Sequence, residues 1–274
     1  METNFLNIYP RFPGFKTRAV TLSFDDGFYY DRDMVKILDQ YGVKCTFNLN
    51  SFRLDQKNCI ASEEVAELYK NHEVAVHTLT HPHLQDLDRG SLAYQIIADR
   101  KYLEELVQKP VEGMAYPYCL KDVPGLVDTV AACGIRYSRT VDNTHSLDLP
   151  DDYLRWHPTC HQSDPRLPEM FEKLLAPVPP VHQRHVPVKL LYIWGHSYEY
   201  KDNWEALENM CKLISGNEDV WYATNGEIVD YMEAYRRLRR TLDNRCIYNP
   251  TDKRIYVWTK TDNVILEPGS ITRL

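Results

Sequence analysis

A chain of 274 residues, 43% of them hydrophobic and 26% charged, has the make-up of one large globular domain or of a domain with a small appendage, and buries a sizeable core without disulfides. Its formal net charge of −7 argues against a nucleic-acid or anionic-membrane partner. Seven cysteines with no C-x-x-C spacing argue against a zinc ribbon, a redox pair or a secreted disulfide scaffold. The first seven residues lack the basic start and apolar run of a signal peptide. No apolar stretch approaches the roughly 18 residues that span a bilayer. A soluble, cytoplasmic protein is expected, although a chain trimmed of its leader would read the same.

In chain order, Arg18 to Phe24 reads as a short apolar strand ending in Asp25-Asp26-Gly27. Taken alone, Asp-Asp-Gly after a strand is more often a turn. Ionised carboxylates delivered by a buried strand are, however, costly to desolvate without a partner, and a cation is the obvious one. Asp31 to Tyr41 carries apolar residues at helical spacing, with Gly42 where a C-terminal cap belongs. Val43 to Leu49 is a second strand. Ser62 is placed as the N-cap of a helix over Glu63 to Lys70. The strand Glu73-Val74-Ala75-Val76 then leads into His77-Thr78-Leu79-Thr80-His81. Two imidazoles four residues apart converge on one ion from a helical turn. With a carboxylate they form a two-nitrogen, one-oxygen set with open positions, which suits a catalytic zinc-type site better than a closed structural one.

Ser91 to Gln108 is a long amphipathic helix stopped by Pro110. Gly113 to Tyr116 is a strand, Gly125 to Cys133 a helix capped by Gly134, and Ile135 to Val141 another strand. Residues 142–187 are polar and irregular, with Trp156-His157-Pro158 and the breaker Pro177-Val178-Pro179-Pro180. A long excursion of this kind is often functional, and it is expected to lie on the substrate side around one short helix, Pro168 to Leu175. Val188 to Trp194 is the most convincing buried strand and ends at Gly195-His196. Trp204 to Ile214 is a helix, Val220 to Ala223 a strand, and Gly226 to Arg240 the last long helix. The cluster Arg236-Arg237-Leu238-Arg239-Arg240 falls on its final turns, where the macrodipole favours cations. From Cys246 the period changes to two (Ile255, Val257, Val264, Leu266), which predicts a β-hairpin around Thr261-Asp262-Asn263. The expected division is residues 1–243 for the main domain and 244–274 for the hairpin.

Strands alternating with helices predict a parallel sheet with helices outside. About seven or eight such units over this length predict an α/β fold of the (β/α)-barrel kind, whose chemistry sits where strands hand over to loops at their C-terminal ends. Asp25, Asp26, His77, Tyr118, Arg139 and His196 all fall at such ends.

Ser23-Phe24-Asp25-Asp26-Gly27 followed by His77-Thr78-Leu79-Thr80-His81 resembles the first two motifs of the polysaccharide deacetylases, the carbohydrate esterase family four or NodB-homology domain. Ala115-Tyr116-Pro117-Tyr118 is similar to the third motif and Trp194-Gly195-His196-Ser197 to the last, so the resemblance spans about residues 15 to 240. It implies a distorted (β/α)7–8 barrel and a metal-dependent hydrolase that removes an N-acetyl group from an amino sugar or related small amide. It further implies Asp26, His77 and His81 as ligands of one divalent ion, most readily zinc, and Asp25 as general base. Such an ion lowers the pKa of its water from 15.7 to about 7. The backbone N–H of Tyr118 would hold the oxyanion, and protonated His196 would donate to the departing amine.

The chain departs from the family pattern at Ala115, where an arginine that orients the base is usual. Arg139 is the candidate replacement and Arg155 a weaker one. Asp142 and Asp148 are candidates to steady His196, because the family's aspartate motif for that role is not legible. Tyr116, Trp194 and Tyr198 read as pocket wall or core. His72, His83, His145, His157, His161, His182 and His185 read as ordinary, with His157 and His161 the first to check. Two other readings keep the same metal set: hydrolysis of a cyclic amide or imide, and a non-catalytic, metal-dependent carbohydrate-binding module.

Overall fold

The computed structural model describes residues 7–121, 123–177, 186–259 and 261–274. The first six residues, most of the proline run at 177–180, His182 and His185 lie outside the described residues. The chain runs β1 (Tyr9–Arg11), β2 (Arg18–Asp25), α1 (Asp31–Gln40), β3 (Cys45–Leu49), α2 (Val65–Leu68), β4 (Glu73–Val76), α3 (Arg89–Val107), β5 (Gly113–Ala115), α4 (Leu126–Ala132) and β6 (Tyr137–Arg139). It continues with β7 (Cys160–His161), α5 (Leu167–Leu175), β8 (Lys189–His196), α6 (Trp204–Ile214), β9 (Val220–Tyr222) and α7 (Asn225–Arg236), and ends in β10 (Arg239–Arg240), β11 (Cys246–Tyr248), β12 (Ile255–Trp258), β13 (Asn263–Leu266) and β14 (Ile271–Arg273).

Strands β2 to β9 form one curled parallel sheet in the order β6-β5-β4-β3-β2-β8-β7, with β9 pairing the first half of β2. This is a distorted (β/α) half-barrel. β2 is its axis: from Ala19 to Asp25 every residue is buried. A parallel strand covered on both faces reads as a continuous apolar run rather than an alternation, which is why β2 and β8 stand out in the sequence. The eight-residue β2–β8 ladder runs from Arg18 opposite Lys189 to Asp25 opposite His196. On the other side Asp25 lies opposite Asn48 of β3. Pairing alone therefore sets an acid, an amide and an imidazole side by side at the C-terminal end of the sheet.

Several expectations need correction. Ser62 is not an N-cap: residues Ser62–Glu64 form a 3-10 turn whose cap position is Ala61, and α2 is only one short turn beyond it. The last helix stops at Arg236 with Arg237 as its C-cap, and Arg239–Arg240 pair antiparallel with β11, so only the first two arginines of the cluster sit at the helix end. The excursion after β6 is more structural than expected. It contributes β7, which pairs with β8, and a buried Trp156 that contacts Tyr137, Tyr153 and Tyr192 edge-on. The hairpin at the C-terminus is present as β12–β13, but β1 adds a third strand to it, and β10, β11 and β14 make a second small sheet. Ile247, Ile255, Val257 and Leu266 of these sheets are fully buried in a core shared with Phe12, Ile228 and Val229. That burial, rather than any chemistry, explains the period-two pattern.

His72, just before β4, is buried and held by a backbone N–H. Its Nδ1 accepts the N–H of Cys45 at 3.2 Å, and its ring packs edge-on against Phe47. Burial, partly offset by Asp39, pushes its pKa down to about 4. An unfolded histidine titrates near 6.5, so the unfolded state binds the extra proton first as pH falls from about 6.5 to 4, and folding stability is lost across that window. Urea unfolding at pH 7 and pH 4.5 should show about 2–3 kcal/mol more acid loss for the wild type than for His72→Gln. Equal acid sensitivity of the two would contradict the assignment.

Candidate metal centre

Asp26, His77 and His81 converge. Asp26 Oδ1 lies 4.0 Å from His77 Nε2 and 3.8 Å from His81 Nε2, and the three ligand atoms fall within 4.8 Å of one another. Bonds of about 2.0–2.2 Å from one zinc-type ion to each atom bridge such separations with little movement. The backbone is bent to achieve this. Asp26 (φ 82°), Thr78 (φ 67°), His81 (φ 58°) and Tyr118 (φ 58°) all occupy the left-handed region without being glycine. Such residues cost energy and cluster where a site over-determines them. The expected helical turn between the two histidines is therefore an irregular turn with a left-handed residue at each end.

The donor set fits a divalent ion. His77 is buried, and its Nδ1 sits 2.8 Å from the Ala115 carbonyl. A carbonyl only accepts, so Nδ1 carries the proton and Nε2 turns a lone pair towards Asp26 and His81. Burial, with His77 beside it, pushes the pKa of His81 down to about 4, which keeps this imidazole in the neutral form that a ligand requires. The backbone N–H of His77 donates to Asp99 on α3 at 3.1 Å, and Asp99 also accepts from the Ser51 N–H at 2.7 Å. Burial outweighs these two bonds and raises Asp99 to about 7. Arg53 donates to Asp26 Oδ1 at 3.1 Å while lying over the Phe28 ring.

Asp25, next in the chain, has a separate environment. Its Oδ1 accepts from Asn48 Nδ2 at 2.9 Å, and its Oδ2 accepts from Arg139 Nη2. His77 Nε2 and His196 Nε2 stand 3.8 and 4.0 Å from the same oxygen. Burial pushes this carboxyl upward, but the Arg139 guanidinium more than compensates and holds it below the usual carboxylate range. Arg139 is itself fully buried, donates to the Thr140 carbonyl at 3.2 Å and lies over the Trp194 ring at 4.7 Å. It occupies the end of β6 opposite Ala115, so a guanidinium reaches Asp25 from the strand beside the one where the family pattern has its arginine. Arg155 instead pairs with Asp152 at 2.7 Å.

His196 is not steadied by Asp142 or Asp148. Asp142 lies 3.7 Å from His157, and Asp148 accepts from Ser146. The partner of His196 Nδ1 is Glu199 at 2.8 Å, a residue sequence reasoning passed over although it lies three positions along the same turn. Asn48, Asp99 and Arg53 were also missed, since nothing in their local pattern marks them. Tyr118 presents a half-exposed ring stacked on His83 at 3.9 Å and edge-on to His81. Tyr116 donates to the Leu154 carbonyl, Trp194 donates to Asn143, and Tyr198 packs against Phe28 and His196. His145 pairs with Asp164, and His157 meets Thr140 Oγ1.

Residues 14–138 match the polysaccharide deacetylase family model. Among solved structures, a Mycobacterium smegmatis protein assigned as a polysaccharide deacetylase is 18% identical, with 85% of this chain and 96% of that one covered and a TM-score of 0.59. A family 4 carbohydrate esterase from Streptomyces lividans in complex with acetate is 15% identical over 76% of this chain and 93% of that one, with a TM-score of 0.50. A Streptococcus pyogenes deacetylase in complex with acetate is 18% identical, with a TM-score of 0.42; the match covers 44% of this chain and 55% of that one, so the chain spans about half its length. At these identities the likeness is one of fold. No curated protein matches the chain.

The Asp25–Arg139 pair gives a direct test of the geometry. Arg139→Met strands a buried carboxylate and is expected to cost about 3–5 kcal/mol in urea unfolding. In an Asp25→Asn background the same change should cost at least about 1 kcal/mol less. Equal costs in the two backgrounds would show that the pair does not interact.

Proposed function

From a chain whose residues 14–138 carry the polysaccharide deacetylase domain, we propose a metal-dependent amide hydrolase that removes an N-acetyl group from an amino sugar or a related small amide. One observation carries this reading: a paired, ionised carboxylate (Asp25) and an imidazole (His196) flank a separate two-histidine, one-carboxylate set within a few ångströms. Asp26, His77 and His81 would hold the ion. A zinc-type ion in that set supplies Lewis acidity at the acyl oxygen and makes water a nucleophile near neutral pH.

The chain's own groups then divide the proton work. Asp25, held ionised and aimed by Arg139 and Asn48, takes a proton from the attacking water, a task worth roughly 10²–10⁴ in rate. The backbone N–H of Tyr118 stabilises the developing oxyanion; such a donor is worth about 2.7–4 kcal/mol elsewhere. His196 gives its Nε2 proton to the amide nitrogen as the C–N bond breaks, because an amine anion leaves too poorly unassisted. One amide and one water become one ammonium group and one acetate, the proton taken by Asp25 completing the balance. His196 suits this part: burial lowers its pKa, but the Glu199 hydrogen bond and the Asp25 and Asp26 charges raise it beyond the ordinary value. The half-exposed Tyr118–His83 stack beside the ligands offers a flat surface to a sugar ring.

The test pairs metal content with acetate release from N-acetylated oligosaccharides and simple amides. Asp25→Asn should keep about one ion per chain and lose at least 10²-fold in kcat, whereas His77→Ala should lose both ion and turnover. Normal hydrolysis by the Asn variant would remove Asp25 from the role of base. A bound ion with no acetate from any N-acetyl compound would favour a binding module, and release of ring-opened acid from cyclic imides alone would move the substrate class.

A further inference from the structure

We propose that Glu199, assisted by His161, is the positioning residue that holds His196 in the tautomer and orientation needed to protonate the leaving amine, a part of the site that the aspartates of the excursion do not supply. The inference rests on the hydrolase reading above.

Two imidazoles converge on one carboxylate oxygen. His196 Nδ1 lies 2.8 Å from Glu199 Oε1, and His161 Nε2 lies 3.3 Å from the same atom. His161 cannot be the acceptor in its contact, because its Nδ1 already accepts the Ser163 backbone N–H at 3.3 Å. Its remaining proton is therefore on Nε2 and points at Glu199. A carboxylate accepts only, so His196 must also donate, from Nδ1. That leaves His196 Nε2 as the working nitrogen, and it is the one that faces Asp25 Oδ2 at 4.0 Å. A second ring nitrogen fixed by a carboxylate is the usual way a protein chooses which imidazole nitrogen acts.

The backbone is built around the arrangement. His161 ends β7 opposite Trp194 of β8, and Glu199 sits in the 3-10 turn Ser197–Tyr200 that follows β8 directly. Between them Gln162 Nε2 donates to the His196 carbonyl at 3.1 Å. That bond requires a glycine at 195: a Cβ there would lie 2.4 Å from Gln162 Cδ. Burial alone would raise the Glu199 carboxyl, but hydrogen bonds from His161, His196 and Gln162 hold it far below the usual range. As an anion it opposes deprotonation of His196.

Leaving-group dependence separates positioning from support. In the metal-loaded protein, Glu199→Gln should lower kcat on an N-acetyl amide by about 10²-fold or more with KM within about threefold, and should lower hydrolysis of an aryl acetate by about threefold or less, because a phenolate departs without a proton. Equal losses on both substrates, or no loss on the amide, would overturn the proposal. Loss of amide turnover in the wild type itself would instead refute the hydrolase reading. A measurement independent of turnover is the 15N spectrum of His196, which should show a protonated Nδ1 hydrogen-bonded to an acceptor; a neutral Nε2–H tautomer would overturn the proposal. His161, His196 and Glu199 also have ligand spacing. A second bound ion that disappears in His161→Phe would make this cluster a metal site and contradict the proton-positioning role.

Discussion

Two neighbouring carboxylates at the end of the central buried strand are the constraint that shapes this molecule. Left together without cations, Asp25 and Asp26 would repel each other and lose hydration, a combination that normally forces protonation. The structure separates their surroundings. Asp26 takes a left-handed backbone (φ 82°) as β2 ends, and its Oδ1 meets His77, His81 and Arg53, while Asp25 stays in the ladder and meets Arg139 and Asn48. One carboxylate is balanced by a fixed guanidinium. The other is free to share an ion with two imidazoles.

Strand register does most of the remaining positioning. Because β2 is paired on both sides through its last residue, Asn48 and His196 are placed beside Asp25 without any loop having to fold precisely. The β5–β6 pairing sets Ala115 opposite Arg139, so the Ala115 carbonyl orients His77 while Arg139 crosses to Asp25. Any residue at 115 would supply that carbonyl, whereas the guanidinium that meets Asp25 comes from β6. Loops contribute His81, Tyr118 and Glu199, and the first two of these carry left-handed backbone.

Legibility followed the same line. β2, β8, α1 and α6 were readable because burial on both faces gives a continuous apolar run and burial on one helical face gives a period of 3.6. The cluster Asp26, His77 and His81 that the structure brings together was readable because Asp-Asp-Gly and H-x-x-x-H each follow a strand. Arg139 was readable as a candidate from its place at a strand end. What escaped had no local signature. β7 is two residues long inside a polar stretch, β1 joins β12 across nearly the whole chain, and the left-handed residues at the site are not glycines. Asp142 and Asp148 were candidates for His196 by position only, whereas the actual partner lies one 3-10 turn along the chain. Ser62 has the chemistry of a cap, but tertiary packing shortened the helix it was assigned to.

The central claim is that one divalent ion is gripped by Asp26, His77 and His81, contributed by two separate loops. Anomalous diffraction at the zinc edge from crystals grown with the metal tests it most directly. The account predicts a single strong peak within about 2.0–2.2 Å of Asp26 Oδ1, His77 Nε2 and His81 Nε2. A peak elsewhere, or none while Arg53 keeps its bond to Asp26, would contradict it.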